Sequence, residues 1–471
     1  MIKVRVAPSP TGFLHIGTAQ SALYNWIFAR KNGGEFYLRI EDTDRERSTE
    51  EYGQSIFDAL NWLGINWDGE PVIQSQNLKR HREVLEKLLS EGKAFYCHHA
   101  KEELENERNS QEKEKQAPRH ICSYKNNPKG KEAGGIIRLA VNENSDRKII
   151  FTDEIRGKVE FTASLLGDFS IARAVDDPLY HFVVVVDDAD MEITHILRGE
   201  DHLSNTPKHI LIYEALGFKV PVFAHLPLIL APDRSKLSKR HGDTSAIAYK
   251  KDYLPEALIN FLGSMSYTFT KEIISKEEML EEFELSKVHK SGAVFDIKKL
   301  NWINSQYIKK LSPEEFKRKI SDLSIMPDYN MEIFPNSTLE LITERLEKLT
   351  DIQEFNYLFV KKPDYREKLK YPKELLGEDF EKIKEILKSI KWELETRGVE
   401  SLKDILEELS KKNGGRGVVY WPFRVSLTGK EKSPDPVSIA RILEDVSLLI
   451  NDSCGDLVLM RVNDAIEKLE S

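Results

Sequence analysis

The chain is poor in cysteine. Three in 471 residues exclude a disulfide framework, so the fold must rest on its own core and the expected compartment is the cytosol. It also lacks a long apolar run. None approaches the roughly 20 residues needed to span a bilayer, which excludes a helical membrane anchor. Met1-Ile2-Lys3-Val4-Arg5 leads straight towards a strand and lacks the signal-peptide pattern. No internal repeat is evident. Basic charge is not in excess either: 69 Lys and Arg against 78 Asp and Glu give a net charge of −9, so a polyanionic partner has to be met by a local basic surface. What is present suits a soluble globular protein, with 31% charged and 40% hydrophobic residues. The length exceeds one ordinary domain, and two to four are expected.

The stretch VRVAPSPTGFLHIGTAQSALYNW, from Val4 to Trp26, concentrates the local signals. A short apolar run stops at Pro8 and Pro10. Gly12, His15 and Gly17 follow, then helical spacing at Ala22, Leu23, Trp26 and Ile27, with Thr18 as the expected cap. Gly33-Gly34 closes this helix. EFYLRI (35–40) reads as a second strand that runs into Glu41 and the acidic EDTD. A strand–helix–strand unit implies a parallel sheet, and ligands bind such sheets at the carboxyl ends of strands, beside helix N-termini.

Strand signals resume later. LYHFVVVVDD (179–188) holds four consecutive valines and reads as a strand buried on both faces. ITHILRGEDH places Arg198, Glu200 and Asp201 just past another strand, and NTPKHILIYEALGF carries helix spacing closed by Gly217. Between the halves KEELENERNSQEKEKQ is nearly all polar, a solvated helix or loop. APDRSKLSKRHG (231–242) gathers Lys236, Lys239 and Arg240 on one loop. Cations near a phosphate site suit the charge that builds on phosphoryl oxygens during transfer. Past Gly242 the chain turns helical, with apolar faces at Phe380, Ile383, Ile386, Leu387, Ile390 and Leu394, and at Leu402, Ile405, Leu406 and Leu409.

PSPTGFLHIGT and KLSKR, some two hundred residues apart, resemble the two signature motifs of class I aminoacyl-tRNA synthetases. RVAPSPTG, LRIEDTD, YHFVVVVDD, ITHILRGEDH, KLSKRHG, LPEALINFLG, FDIKKLNWIN and FRVSLTG extend the resemblance to bacterial glutamyl-tRNA synthetases over nearly the whole chain. The resemblance implies an α/β Rossmann-like catalytic domain in two halves (1–70 and 177–230) with an inserted acceptor-binding domain (71–176). A stem-contact region (231–310) and an all-helical anticodon-binding region of two subdomains (311–471) follow. It implies ATP-dependent activation of L-glutamate to glutamyl-adenylate, with Mg2+ accompanying ATP, and transfer to the terminal adenosine of tRNA-Glu by a cytoplasmic monomer. A non-discriminating enzyme that also charges tRNA-Gln and a non-catalytic tRNA-binding relative are the rival readings.

Residue by residue, the resemblance puts His15, Gly17, Lys236 and Lys239 on the catalytic steps, and adds Asp201 and Ile229 to the ATP contacts. Glutamate falls to Arg5, Ala7, Ser9, Glu41, Tyr180 and Arg198. Val184 stands where some members carry an asparagine that touches the substrate. Arg345 and Arg424 match anticodon contacts, Arg345 at the third base. AFYCHHA and PRHICSY match a zinc site that some members carry: Cys97, His99 and Cys122, completed by His120 or Tyr124, a donor set suited to tetrahedral zinc.

Overall fold

Lys3–Val6 (β1) and Glu35–Ile40 (β2) pair in parallel, Lys3 opposite Glu35 and Val6 opposite Leu38. Parallel neighbours cannot be joined by a tight turn, and the crossover is the helix Ile16–Lys31 (α1). The helix Glu50–Trp62 (α2) carries the chain to Val72–Ile73 (β3), which pairs in parallel with β2. After Leu78–Ser90 (α3) comes the inserted segment. It holds Ala94–Cys97 (β4), Lys101–Lys113 (α4), Ile136–Leu139 (β5), Lys148–Asp153 (β6), Gly157–Thr162 (β7), Ser170–Ala174 (β8) and Asp177–Pro178 (β9). The strands β4, β5, β8 and β9 form an antiparallel sheet in that order.

The nucleotide-type pattern returns with Tyr180–Asp190 (α5), His195–Gly199 (β10), Thr206–Leu216 (α6) and Val222–Leu226 (β11). The β10–β11 pair is parallel, and the β6–β7 hairpin joins its edge where Asp153 meets Phe223. Thr194 donates its N–H to the Lys3 carbonyl at 2.9 Å, which ties the start of β10 to β1. The Asn25 amide of α1 reaches Leu197 O at 3.0 Å. Ile229–Leu230 (β12), Pro255–Met265 (α7), Lys276–Glu282 (α8), Ala293–Val294 (β13) and Ile297–Ile308 (α9) follow.

This computed structural model describes every residue except 45, 117, 143–146, 239, 241–242, 328–330, 359–362, 364–379, 431, 450–455 and 471. It divides into two units, Met1–Ile303 and Asn304–Ser471. The second is helical throughout its described residues: Pro313–Asp322 (α10), Asn336–Thr343 (α11), Phe380–Arg397 (α12), Leu402–Lys412 (α13), Arg416–Thr428 (α14), Pro436–Leu449 (α15) and Leu457–Glu470 (α16). The apolar faces expected at 383–394 and 402–409 are buried, whereas Phe380 stays 40% exposed.

Two expectations fail locally. The valine run is helix α5, not a strand. Residues Phe182 to Asp188 are all buried, and Val183, Val185 and Val186 pack with Leu85 of α3, Ile137 of β5, Ile171 of β8 and Ile210 of α6 in one apolar cluster. A helix surrounded by core carries no apolar periodicity, so an unbroken run could not separate helix from strand, and tertiary burial overrode the β-branched preference. The cap of α1 is His15, not Thr18: its ring Nδ1 accepts the Gly17 N–H at 3.0 Å. Other expectations hold. Gly217 closes α6 in the left-handed region at φ 71°, and the polar segment 101–113 is a helix with no buried residue.

Candidate active site

At the carboxyl ends of β1 and β10 lies an open cleft of about 420 Å³. Its wall holds Arg5, Ala7, Ser9, His15, Gly17, Glu41, Tyr180, Arg198, Asp201, Ile229 and Lys236. Eleven of the residues singled out from sequence therefore converge on one space. Val184 does not line it. It sits one helical turn beyond Tyr180 in α5 and is buried at 1% exposure. Lys239 lies outside the described residues. Arg198 belongs to β10 itself, with Glu200 and Asp201 just past its end.

Main-chain bonds tie the first signature segment to residues 244–246, just past the second. His15 forms an antiparallel bridge with Ser245, Ile16 N–H donates to Thr244 O at 2.8 Å and Ala246 N–H to Leu14 O at 2.8 Å. Because Nδ1 of His15 accepts from Gly17, the proton of the neutral ring sits on Nε2. A Cβ at position 17 would come within 3.3 Å of that Nδ1, so glycine keeps the acceptor within reach of its own N–H. Lys236 pairs across the cleft with Asp201 at 2.7 Å. Burial works against ionisation of Asp201, and the bond from Lys236, the charges of His202 and Lys236 and a backbone hydrogen bond together outweigh it, leaving this carboxyl below the usual range.

Below the amino-acid side of the cleft is a buried charge network that motif reading missed. Arg5 donates to Asp188 through Nε at 2.9 Å and Nη2 at 3.1 Å. Arg39 donates to the same carboxylate at 2.6 Å and to Glu41 at 3.1 Å. All four residues are at most 7% exposed. The two carboxyls are pushed apart. Burial raises both, but Arg39 and Arg5 overcome it at Asp188 and hold it below the ordinary carboxylate range. At Glu41 burial wins over Arg39 and Arg5, and its pKa stays raised. Burial raises the Tyr180 phenol to about 12, with Glu41 adding to it. The available signal was the alternation along EFYLRI and into Glu41, which turns Arg39 and, one residue past β2, Glu41 to one side; the partner 149 residues away carried none.

Arg198 is held differently. Its Nε donates to His225 Nε2 at 3.3 Å, Nη1 to His209 Nδ1 at 3.2 Å and Nη2 to Thr206 Oγ1 at 2.7 Å. His225 in turn meets Asp153 of β6 at 2.6 Å.

In the inserted segment Cys97, His99, His120 and Cys122 bring their ligand atoms within 4.8 Å of one another. His120 brings its Nε2 to 3.7 Å from Cys97 Sγ, and the Tyr124 ring packs edge-on against His99. His99 Nδ1 lies 3.4 Å from Cys97 Sγ and 3.6 Å from Cys122 Sγ. Burial raises the Cys97 thiol, but His120 and His99 bring it down to about 5, while burial and the neighbouring Cys97 push Cys122 up to about 12. Glu107 of α4 takes the other His120 nitrogen, Nδ1, at 2.5 Å, the outer-shell arrangement that orients a ligating imidazole. Buried Asp168 accepts the Cys122 N–H at 3.0 Å and fixes the loop. At Gly135 any side chain would collide with the Cys97 carbonyl at 2.3 Å.

Arg345 is exposed in the second unit, its guanidinium on the Leu341 carbonyl at 2.8 Å. Arg424 lies in α14 with its guanidinium 5.9 Å from the Trp421 ring.

The sequence matches the family described as class I tRNA synthetases (E and Q), catalytic domain, over residues 1–302, and an anticodon binding domain over 277–446. It is 41% identical to a glutamate–tRNA ligase of Carboxydothermus hydrogenoformans, over 94% of this chain and 97% of that protein. It is 40% identical to glutamate–tRNA ligase 2 of Thermoanaerobacter pseudethanolicus, over 94% and 95%. Its fold is similar to the crystal structure of a glutamate tRNA ligase from Elizabethkingia meningosepticum in complex with its amino acid, with a TM-score of 0.81, 31% identity and 99% of each chain covered. The converging signature segments, the parallel sheet that carries them and these matches agree, and the chain belongs to the class I tRNA synthetases of the glutamate and glutamine type.

Proposed function

We propose that this protein is a glutamate–tRNA ligase that activates L-glutamate with ATP and transfers it to the terminal adenosine of tRNA-Glu. The observation that carries this reading is the single cleft in which both signature segments meet two buried arginines and a buried glutamate. The α-carboxylate of glutamate attacks the α-phosphorus of ATP, the bond to the β-phosphate breaks, and pyrophosphate leaves with Mg2+. A hydroxyl of the terminal adenosine then attacks the acyl carbon and AMP departs. No enzyme nucleophile is needed; catalysis is positioning and charge stabilisation.

In this reading the Nε2–H of His15 donates to phosphate oxygens, the Gly17 backbone lets ATP approach, and Ile229 packs on the nucleotide. Asp201 holds Lys236 ready for the phosphates, and Lys239 joins them. Glu41, with Ser9 and Ala7, receives the α-ammonium. Its raised pKa is the state of a buried carboxyl lacking a full counter-charge, and the ammonium supplies one. Arg5 and Arg198 take the carboxylates, and Tyr180 closes over the side chain. Arg345 reads the third anticodon base and Arg424 a second contact, which makes the enzyme discriminate against tRNA-Gln. The protein works as a cytoplasmic monomer.

Cys97, His99, His120 and Cys122 hold zinc in this proposal. Two thiols and two imidazoles with converging donor atoms fit a closed tetrahedral site, which contributes folding energy and no chemistry of the transfer. Metal analysis of protein prepared without chelators should find close to one zinc per chain, lost in Cys97→Ser; zinc-free protein overturns the site. For the activity, His15→Ala should abolish most glutamyl-adenylate formation while tRNA binding persists. Unchanged charging of tRNA-Glu by that variant would sink the assignment.

A further inference from the structure

The two arginines of the cleft are not equivalent. Arg5 already has a carboxylate partner, through a bidentate contact to Asp188 that Arg39 shares. Arg198 is as deeply buried, at 7% exposure, yet no carboxylate pairs with it among the described residues. Its partners are the rings of His225 and His209, the Thr206 hydroxyl and, at 3.4 Å, the His202 carbonyl, with its guanidinium 5.7 Å from the Phe223 ring.

The bonding pattern fixes each histidine in its neutral form. Asp153 accepts from Nδ1 of His225 at 2.6 Å, so Nε2 is left as an acceptor for Arg198 and Thr206. His209 accepts at Nδ1 from Arg198, so its proton is on Nε2, which faces His181 Nδ1 at 3.1 Å. Burial and then the Arg198 charge itself keep His209 well below the usual histidine range. Burial likewise lowers His202 to about 4, with Arg198 next in effect. A guanidinium buried without an anion is costly, and the cost is recovered when an anionic ligand arrives. An isosteric amide would bring the desolvation without the charge.

We propose that His209 and His225 are specificity-positioning residues: neutral acceptors that orient Arg198 without neutralising it, so that its counter-ion is the side-chain carboxylate of the amino acid and the side-chain amide of glutamine is rejected. This inference rests on the reading that places Arg198 on a carboxylate of the substrate, and takes that carboxylate to be the side chain's. Arg5 is placed differently, because Asp188, which it shares with Arg39, already offsets part of its charge. Asp153, on the β6–β7 hairpin that lies in the chain between β5 and β8 of the inserted sheet, fixes the His225 tautomer and so links that hairpin to amino-acid choice.

The test compares two near-isosteric variants of the full chain, His209→Asn and His209→Asp, which differ by one charge. KM for glutamate and Ki for glutamine are measured in charging of tRNA-Glu, with thermal unfolding recorded alongside. The aspartate gives Arg198 an internal counter-ion. It should raise KM for glutamate about a hundredfold, the range of a rearranged buried ion pair, and change Ki for glutamine far less. The asparagine keeps an acceptor and should preserve the ratio. Equal ratios in the two variants overturn the proposal. In wild-type enzyme labelled with 15N-histidine, the His209 Nδ1 resonance should be that of an unprotonated nitrogen between pH 6 and 8; a protonated signal overturns it whether or not the aspartate variant folds. An Arg198→Ala enzyme with unchanged glutamate KM would instead remove the assignment of Arg198 on which the inference stands.

Discussion

The two units bury different things. In Met1–Ile303 the buried set includes Arg5, Arg39, Glu41, Asp153, Asp168, Asp187, Asp188 and Arg198, whereas in Asn304–Ser471 the only buried charged residues among those described are Lys317 and Arg461. The first unit holds unlike charges in place around a cleft, at a desolvation cost that hydrophobic packing must offset. The second is amphipathic helices on an apolar core, so whatever it recognises must be met by residues on its outside, where Arg345 is exposed. A site that does chemistry on a small charged ligand needs preorganised interior charge; a surface that meets a polyanion does not.

That contrast can be broken first at Asp188. Asp188→Ala leaves Arg5 and Arg39 buried without their shared anion, and should cost about 3–5 kcal/mol of stability, read by denaturant unfolding. A cost below about 1 kcal/mol would mean that the network is more solvated than its burial indicates. The sign of its pH dependence is set by the depressed pKa of Asp188. Its contribution is present above the unfolded carboxylate value of about 3.9 and lost as pH falls through the lower folded value. Acid unfolding of Asp188→Asn should therefore lose part of that low-pH limb. In the second unit, Leu406→Ala removes a fully buried side chain of α13. It should cost about 2–4 kcal/mol and leave KM for glutamate unchanged; a shift in KM would show that the helical core shapes the cleft.

The smallest expected effect sharpens the comparison. Arg345→Gln should leave stability and glutamate KM intact while relaxing the preference for tRNA-Glu over tRNA-Gln by about 1–3 kcal/mol, the worth of one good base contact. The measurement is kcat/KM for both tRNAs with both proteins. If wild type charges the two equally, discrimination is absent. If the variant changes neither, Arg345 does not face the anticodon.

Sequence alone determined the parts in which chemistry is local. The glycine- and proline-rich turn, the KLSKR loop, the polar helix α4 and the apolar faces of α12 and α13 were legible because backbone freedom, charge and helical period are written in neighbouring residues. Eleven cleft residues could be named in advance through the resemblance that those motifs carry. The tertiary structure decided what depends on distant partners. It made the valine run a helix, since a segment surrounded by core shows no period. It set the His120 ring 3.7 Å from the Cys97 sulfur, a contact that spacing in the chain does not specify. It paired Arg5 with a carboxylate 183 residues away and left Arg198 to uncharged histidines. Two arginines identical in sequence thus differ in the charge they present, because an electrostatic field is set by what surrounds a side chain in space and not by the side chain itself.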